Sequence, residues 1–238
     1  MRAAQLGVIL PLVLLVGAGA PKAGLDPINP TCPKLLNWSD NPKMQFRIQD
    51  LGDGEQALIG EGVIDLGMAN RLADMLRRNP NVHELWLRSP GGNAKTGNAA
   101  GLLIRKSDRD ILTRIPAGWA CFSACNFVFM GGRTRIVEPG GQFIVHMFTH
   151  VGDREGVKAD IRRNADAAVD MIGDIEQDSA LLASDDNDFL IRMGVSRKLL
   201  TDIMYKQKAV TSGGTGSTRR CLTQRELRDY QVTNATPA

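Results

Sequence analysis

The chain has 238 residues, 43% hydrophobic and 23% charged, with 25 Gly, a composition that fits a packed globular protein and excludes disorder and collagen. Its 29 basic and 26 acidic residues leave a formal charge of +3 and are dispersed rather than blocked, so nothing marks a nucleic-acid binder. Seven Phe, three Trp and two Tyr give a base-stacking platform or an aromatic sugar-binding face little to build with.

Arg2 is followed by an uncharged run from Ala3 to Ala20 that ends in small residues. It reads as a secretory signal peptide, with Val16 and Ala18 as the small-residue cleavage pattern, or as an uncleaved inner-membrane anchor. Residues 1–25 are therefore set apart from the fold, and the remainder is expected to be periplasmic or secreted, where disulfides persist. Residues 26–43 form a lead-in whose prolines, Pro27, Pro30, Pro33 and Pro42, stop helix and sheet alike.

From residue 44 to 238 we read a single domain. MQFRIQD (44–50) and QALIGEGVI (56–64) have strand patterns, and MANRLADMLRR (68–78) places Met68, Leu72, Met75 and Leu76 at helical spacing. Val82 to Leu87 is a strand that stops at Ser89-Pro90-Gly91-Gly92, and a helix of small residues follows over about 95–105. Residues 109–114 and Gly118 to Phe122 read as strands, SACNFVFM as an apolar helix, and QFIVHMF (142–148) as strand again. Residues 154–192 carry helical spacing without proline, as one long helix or a helical hairpin. A glycine-rich insert (211–218) precedes a short last helix opened by a Thr223/Glu226 capping box. Repeated strand, loop and helix units predict an α/β architecture with much parallel pairing.

Three pieces carry chemistry: the Ser89-Pro90-Gly91-Gly92 turn after a strand, Ser123 at a strand-to-helix turn, and His146 in a strand. Nucleophilic catalysis needs a hydroxyl within reach of a base, and backbone N–H groups aimed at the developing oxyanion. Ser123 opening a helix would have free N–H groups beside it, and Gly91 and Gly92 carry no side chain to keep a carbonyl away.

At these residues the chain resembles the Clp protease proteolytic subunit and the ClpP/crotonase superfamily, in particular the secreted Clp-like proteins of Gram-negative bacteria. The likeness covers roughly residues 44–148 and 221–233. It implies a fold of stacked strand–strand–helix repeats with a long helical segment. It implies an oxyanion hole from the Gly91/Gly92 pair and the Ala124 amide, Ser123 as nucleophile, a Gly-x-x-R turn over Gly132 to Arg135, and His146 as general base. The family's third member, an aspartate, is not matched, because Thr218-Arg219-Arg220 precedes Cys221-Leu222-Thr223. Asp202 is the nearest upstream candidate, with Asp185, Asp186 and Asp188 as others.

Lys95, beside the Pro-Gly-Gly turn, is a conceivable substitute base, and solvated lysine the plainer reading. His146 and His150 are four apart in a strand, where that spacing does not converge, so no metal is assigned and no cofactor is expected. Cys121 and Cys125 flank Ser123 and are either bridged or two buried thiols; if bridged, Cys32 pairs with Cys221. The expectation is an extracytoplasmic serine hydrolase, a peptidase acting on peptide or protein substrates, that forms homo-oligomers through the 154–192 helices and has no ATPase partner. The alternative is a catalytically silent scaffold or binding protein. Acyl-CoA chemistry does not explain a serine and a histidine at these two positions.

Overall fold

The computed structural model describes residues 24–146, 158–159, 161–162, 166–204 and 219–236. The uncharged run Ala3–Ala20, His150 and the insert 211–218 lie outside the described residues. Among those described, no helix is long and apolar enough to cross a membrane.

The first half builds one sheet. β1 (Gln45–Gly52) and β2 (Glu55–Glu61) form an antiparallel hairpin. β2 then pairs in parallel with β3 (Val82–Arg88), β3 with β4 (Leu112–Ile115), and β4 with β6 (Thr134–Val137). Helix α1 (Met68–Arg78) makes the β2-to-β3 crossover and α2 (Ala94–Arg105) the β3-to-β4 crossover. A second sheet takes β5 (Ala120–Phe122), β7 (Gln142–Val145) and β8 (Arg220–Cys221), with β5 and β7 parallel. The order β4, β5, α3 (Cys125–Met130), β6, β7 therefore alternates between sheets, and the fold is α/β with stacked strand–strand–helix units. A long helix, α4 (Asp166–Met193), a π-helical turn (Leu199–Met204) and α5 (Gln224–Asp229) complete the described chain.

Local sequence explains most of these elements. Met68, Leu72 and Leu76 put one face of α1 in the core, one turn apart as an amphipathic helix requires. The Asn93 side chain caps α2 by accepting from Thr96 N at 2.8 Å, and the Thr223/Glu226 capping box opens α5. The small residues of α2 have a packing cause: a Cβ on Gly97 would meet Ala124 O at 2.5 Å, and one on Gly101 would meet Phe127 O at 2.3 Å. Only glycine lets α2 lie directly on the backbone of α3.

Several boundaries depart from the expected ones. β2 ends at Glu61 because Gly62 turns left-handed at φ +119°, leaving Ile64 only a bridge to Gly92. The strand expected over 109–114 starts at Leu112, since Arg109 is spent elsewhere: its guanidinium binds the carbonyls of Leu76, Asn79 and Pro80 at the end of α1. The strand read to residue 148 ends at Val145, with His146 just past it. The expected Gly132–Arg135 turn leads into β6, where Arg135 is 2% exposed and donates to the carbonyls of Gly132, Met193, Gln231 and Val232. Burial and the neighbouring Arg105 charge lower Arg135 to about 10. It closes the C-terminal segment and the end of α4 onto the sheet.

Two disulfides are formed, Cys32–Cys221 and Cys121–Cys125. The first ties the proline-rich lead-in to β8, and the lead-in also adds a backbone bond to β5, Ala120 N to Asn37 O at 2.9 Å.

Candidate active site

Ser123 sits between β5 and α3 with φ +56°, a left-handed conformation that costs a non-glycine residue about 1–3 kcal/mol and persists only where its surroundings impose it. The surroundings here are identifiable. The Cys121–Cys125 bond spans the residue on both sides, Ser123 N donates to Ile144 O at 3.3 Å, and Asn126 N donates to Ser123 O at 2.9 Å. Asn126 Nδ2 also donates to Ile144 O, at 2.7 Å. The start of α3 is thus fastened to β7 at one carbonyl.

That fastening delivers the histidine. β5 and β7 run parallel with Phe122 opposite Ile144, so the residues that follow each strand emerge side by side at the carboxyl ends, where open α/β sheets place their sites. His146 Nε2 lies 2.7 Å from Ser123 Oγ. Its ring packs on Phe122 with centroids 4.8 Å apart, and Phe122 stacks in turn on Trp38 of the lead-in at 5.8 Å. Neither aromatic was legible as a site residue in the sequence, because their contacts cross from the lead-in to the second sheet.

The Ser89-Pro90-Gly91-Gly92 turn reaches the same place by backbone pairing. Ser89 N donates to Ala120 O and Phe122 N to Ser89 O, at 2.9 and 3.0 Å, so the end of β3 is bridged to β5. Gly91 and Gly92 have φ +90° and +143°. The two amides differ: Gly91 N–H donates to Ser89 Oγ at 3.1 Å, whereas among the described residues the N–H groups of Gly92 and Ala124 make no hydrogen bond. The Ala124 amide follows Ser123 directly in the chain, and the Gly92 amide follows Gly91, which packs against Ser123.

No family model and no curated protein matches the sequence. Among solved structures the chain is similar to a serine-to-alanine mutant of 1510-N, a membrane-bound stomatin-specific protease. The TM-score is 0.47 at 12% identity, over 74% of this chain and 75% of that one. It is also similar to a ClpP1 mutant from Listeria monocytogenes, with a TM-score of 0.45 at 13% identity, over 74% and 87% of the two chains.

Other residues singled out in the sequence are placed as follows. Asp202 lies on the π-helical turn, where its carboxylate accepts from the Thr201 hydroxyl at 3.4 Å. Desolvation and then the Asp202 charge push the Tyr230 hydroxyl up. Arg220 is ion-paired with Glu226, and Arg219 lies 4.0 Å from Asp26. Lys95 is exposed on the first turn of α2. Among the described residues no cluster of His, Cys, Asp or Glu could hold a metal.

A cavity of about 130 Å³ opens at Ser123 and His146. Its wall is apolar, with Phe127, Met130, Phe143, Leu190 and Leu199 among its residues, but Asn126 and Asp186 also line it. Burial and then the neighbouring Asp185 charge raise Asp186 to about 6. The sequence marked Asp186 only as one acid among several on a helix.

Proposed function

We propose that the chain is a serine hydrolase of peptidase type, similar in mechanism to the Clp proteolytic subunit. The observation that carries this reading is the 2.7 Å contact between Ser123 Oγ and His146 Nε2, beside the uncommitted Gly92 and Ala124 amides. His146 Nε2 takes the hydroxyl proton as Ser123 Oγ bonds to the scissile carbonyl carbon. The carbonyl oxygen, now negative, is held by the Gly92 and Ala124 N–H groups. Gly91 shapes the turn, its own N–H being held by Ser89. Collapse of the adduct breaks the C–N bond, and the imidazolium gives its proton to the leaving amine. Water, deprotonated by His146, then releases the acyl group and regenerates Ser123. In this reading Asp202 is the orienting acid, two residues beyond Leu200, which lines the cavity.

A serine-directed fluorophosphonate should label the native chain and not a Ser123→Ala variant. Equal labelling of both would overturn the assignment.

Two disulfides support an oxidising, extracytoplasmic site of action, with accessible peptides or proteins as substrates and no ATPase partner. Exposed Val169, Ile172 and Leu181 on α4 support homo-oligomer assembly through that helix, which light scattering would size.

A second reading, a catalytically silent scaffold, is favoured by one observation: Arg219 and Arg220 stand before Cys221 where the resemblance expects a carboxylate. It predicts no turnover of any peptide or ester, with folding unaffected by Ser123→Ala.

A further inference from the structure

Asp186 is the unexplained group of the dyad's cavity. It comes from α4, lies in the same wall as Ser123 and His146, and makes no hydrogen bond or ion pair among the described residues. Asp186 is half-buried, and partial burial without a partner disfavours its charged form, so that desolvation and then the Asp185 charge raise it to about 6.

Among the described residues no cation neutralises it. Asp186 also borders a second, more open hollow of about 270 Å³ that contains Lys95 and Arg192. Arg192 is held by Asp188 at 2.6 Å, and among the described residues Lys95 forms no bond to Asp186. Asp185, from the same hollow, adds negative charge.

A second orphan acceptor stands in the same wall. Asn126 is 7% exposed; its Nδ2 is committed to Ile144 O, and its Oδ1 has no partner. Among the described residues the cavity therefore combines an apolar lining with an unpaired carboxylate at Asp186 and a buried, unpaired amide oxygen at Asn126. The complementary ligand has an aliphatic stem and a donor-rich, cationic tip.

Resting on the hydrolase reading above, we infer that this cavity receives a lysine side chain of the substrate, with Asp186 as the specificity-determining partner of its ammonium. The substrate class is then peptides bearing lysine at the residue whose carbonyl meets Ser123. The aliphatic stem would lie along Phe127, Met130 and Leu190, and pairing would compensate the ionised Asp186 that partial burial disfavours.

The test uses binding without cleavage. In the Ser123→Ala protein at pH 8, NMR titration compares acetyl-leucyl-lysine amide with acetyl-leucyl-norleucine amide, which keeps the stem and lacks the charge. The lysine peptide is expected to bind at least fivefold more tightly. Adding Asp186→Asn should close the gap by weakening the lysine peptide alone, while Asp186→Glu should retain part of it. Should the Asn variant fail to fold by circular dichroism, Asp186→Ser serves in its place. Equal affinities, a norleucine preference, a lysine preference that survives loss of the carboxylate, or no saturable binding of either peptide would each overturn the proposal. None of these outcomes touches the hydrolase reading, which the fluorophosphonate labelling decides on its own.

Discussion

Gly91 and Ser123 are packed so closely that a Cβ on Gly91 would stand 2.7 Å from the Ser123 Cβ and 2.6 Å from Phe122 O. The Ser89–Gly92 turn and the Ser123 elbow are therefore one packed unit, although they come from different strands. Gly91→Ala must push the elbow away and also occupy a left-handed φ. We expect it to slow fluorophosphonate labelling of Ser123 by about 100-fold or more, because displacing the elbow misplaces the reacting hydroxyl. A labelling rate within twofold of the native chain would show that the elbow tolerates displacement.

The Cys121–Cys125 bond encloses the left-handed Ser123, and both cysteines are fully buried. Replacing both by alanine removes the covalent part of what imposes φ +56°, and leaves the hydrogen bonds to Ile144 O in place. The expected result is a labelling rate lower by about tenfold, since small misplacements of a reacting group are costly, with far-UV circular dichroism unchanged. Labelling at the native rate would assign the elbow to the hydrogen bonds alone.

Arg135 serves the carbonyls of four residues from the interior. Arg135→Met removes the Arg135 donors to the Gln231 and Val232 carbonyls and leaves those of Gly132 and Met193 to Arg105 alone, and urea unfolding should show a loss of about 3–5 kcal/mol. Arg135→Lys should recover little of it, because one ammonium cannot reproduce the planar fork that reaches all four. Full recovery by lysine would mean that charge, not geometry, matters there.

Two aspartates give opposite pH signatures. The Arg71 side chain, which hydrogen-bonds Asp65, is the main cause that lowers its carboxyl to about 2. Its stabilisation is present above the unfolded pKa and is lost as pH falls from about 4 through 2. Asp65→Asn should therefore lower Tm at pH 7 and match the native chain near pH 2. Asp186, raised to about 6, binds its proton more tightly when folded, so its contribution declines as pH rises from about 4 through 6. Asp186→Asn should raise Tm at pH 8, by an amount corresponding to about 1–2 kcal/mol, and leave it unchanged at pH 4. An Asp186→Asn effect of the same size at both pH values would place its cause in packing.

Elements governed by nearest neighbours could be read without the structure. The α1 face of Met68, Leu72 and Leu76, the Thr223/Glu226 cap and the order of strands and helices all follow from spacing and local hydrogen bonding within a few residues. Gly91, Gly92, Ser123 and His146 stood out in the sequence by their places at the ends of elements, while the roles given to them rest on the resemblance to the Clp proteolytic subunit. Strand β6 was not, because four residues of TRIV carry too little pattern and its place depends on β4 beside it.

What only the tertiary structure decided is which distant groups meet. The parallel register of β5 and β7 brings His146 to Ser123, the bridge from Ser89 to Cys121 brings the glycine turn to the Ser123 elbow, and the seat of α4 places Asp186, half-buried, in the wall of the cavity at Ser123. Burial and the absence of a partner are properties of a whole packed environment, and water and neighbouring elements, not the residue's own sequence context, set them. An aspartate on a helix reads as a solvated acid until the helix is docked; once docked and half-buried, the same carboxyl is raised by desolvation and by the Asp185 charge.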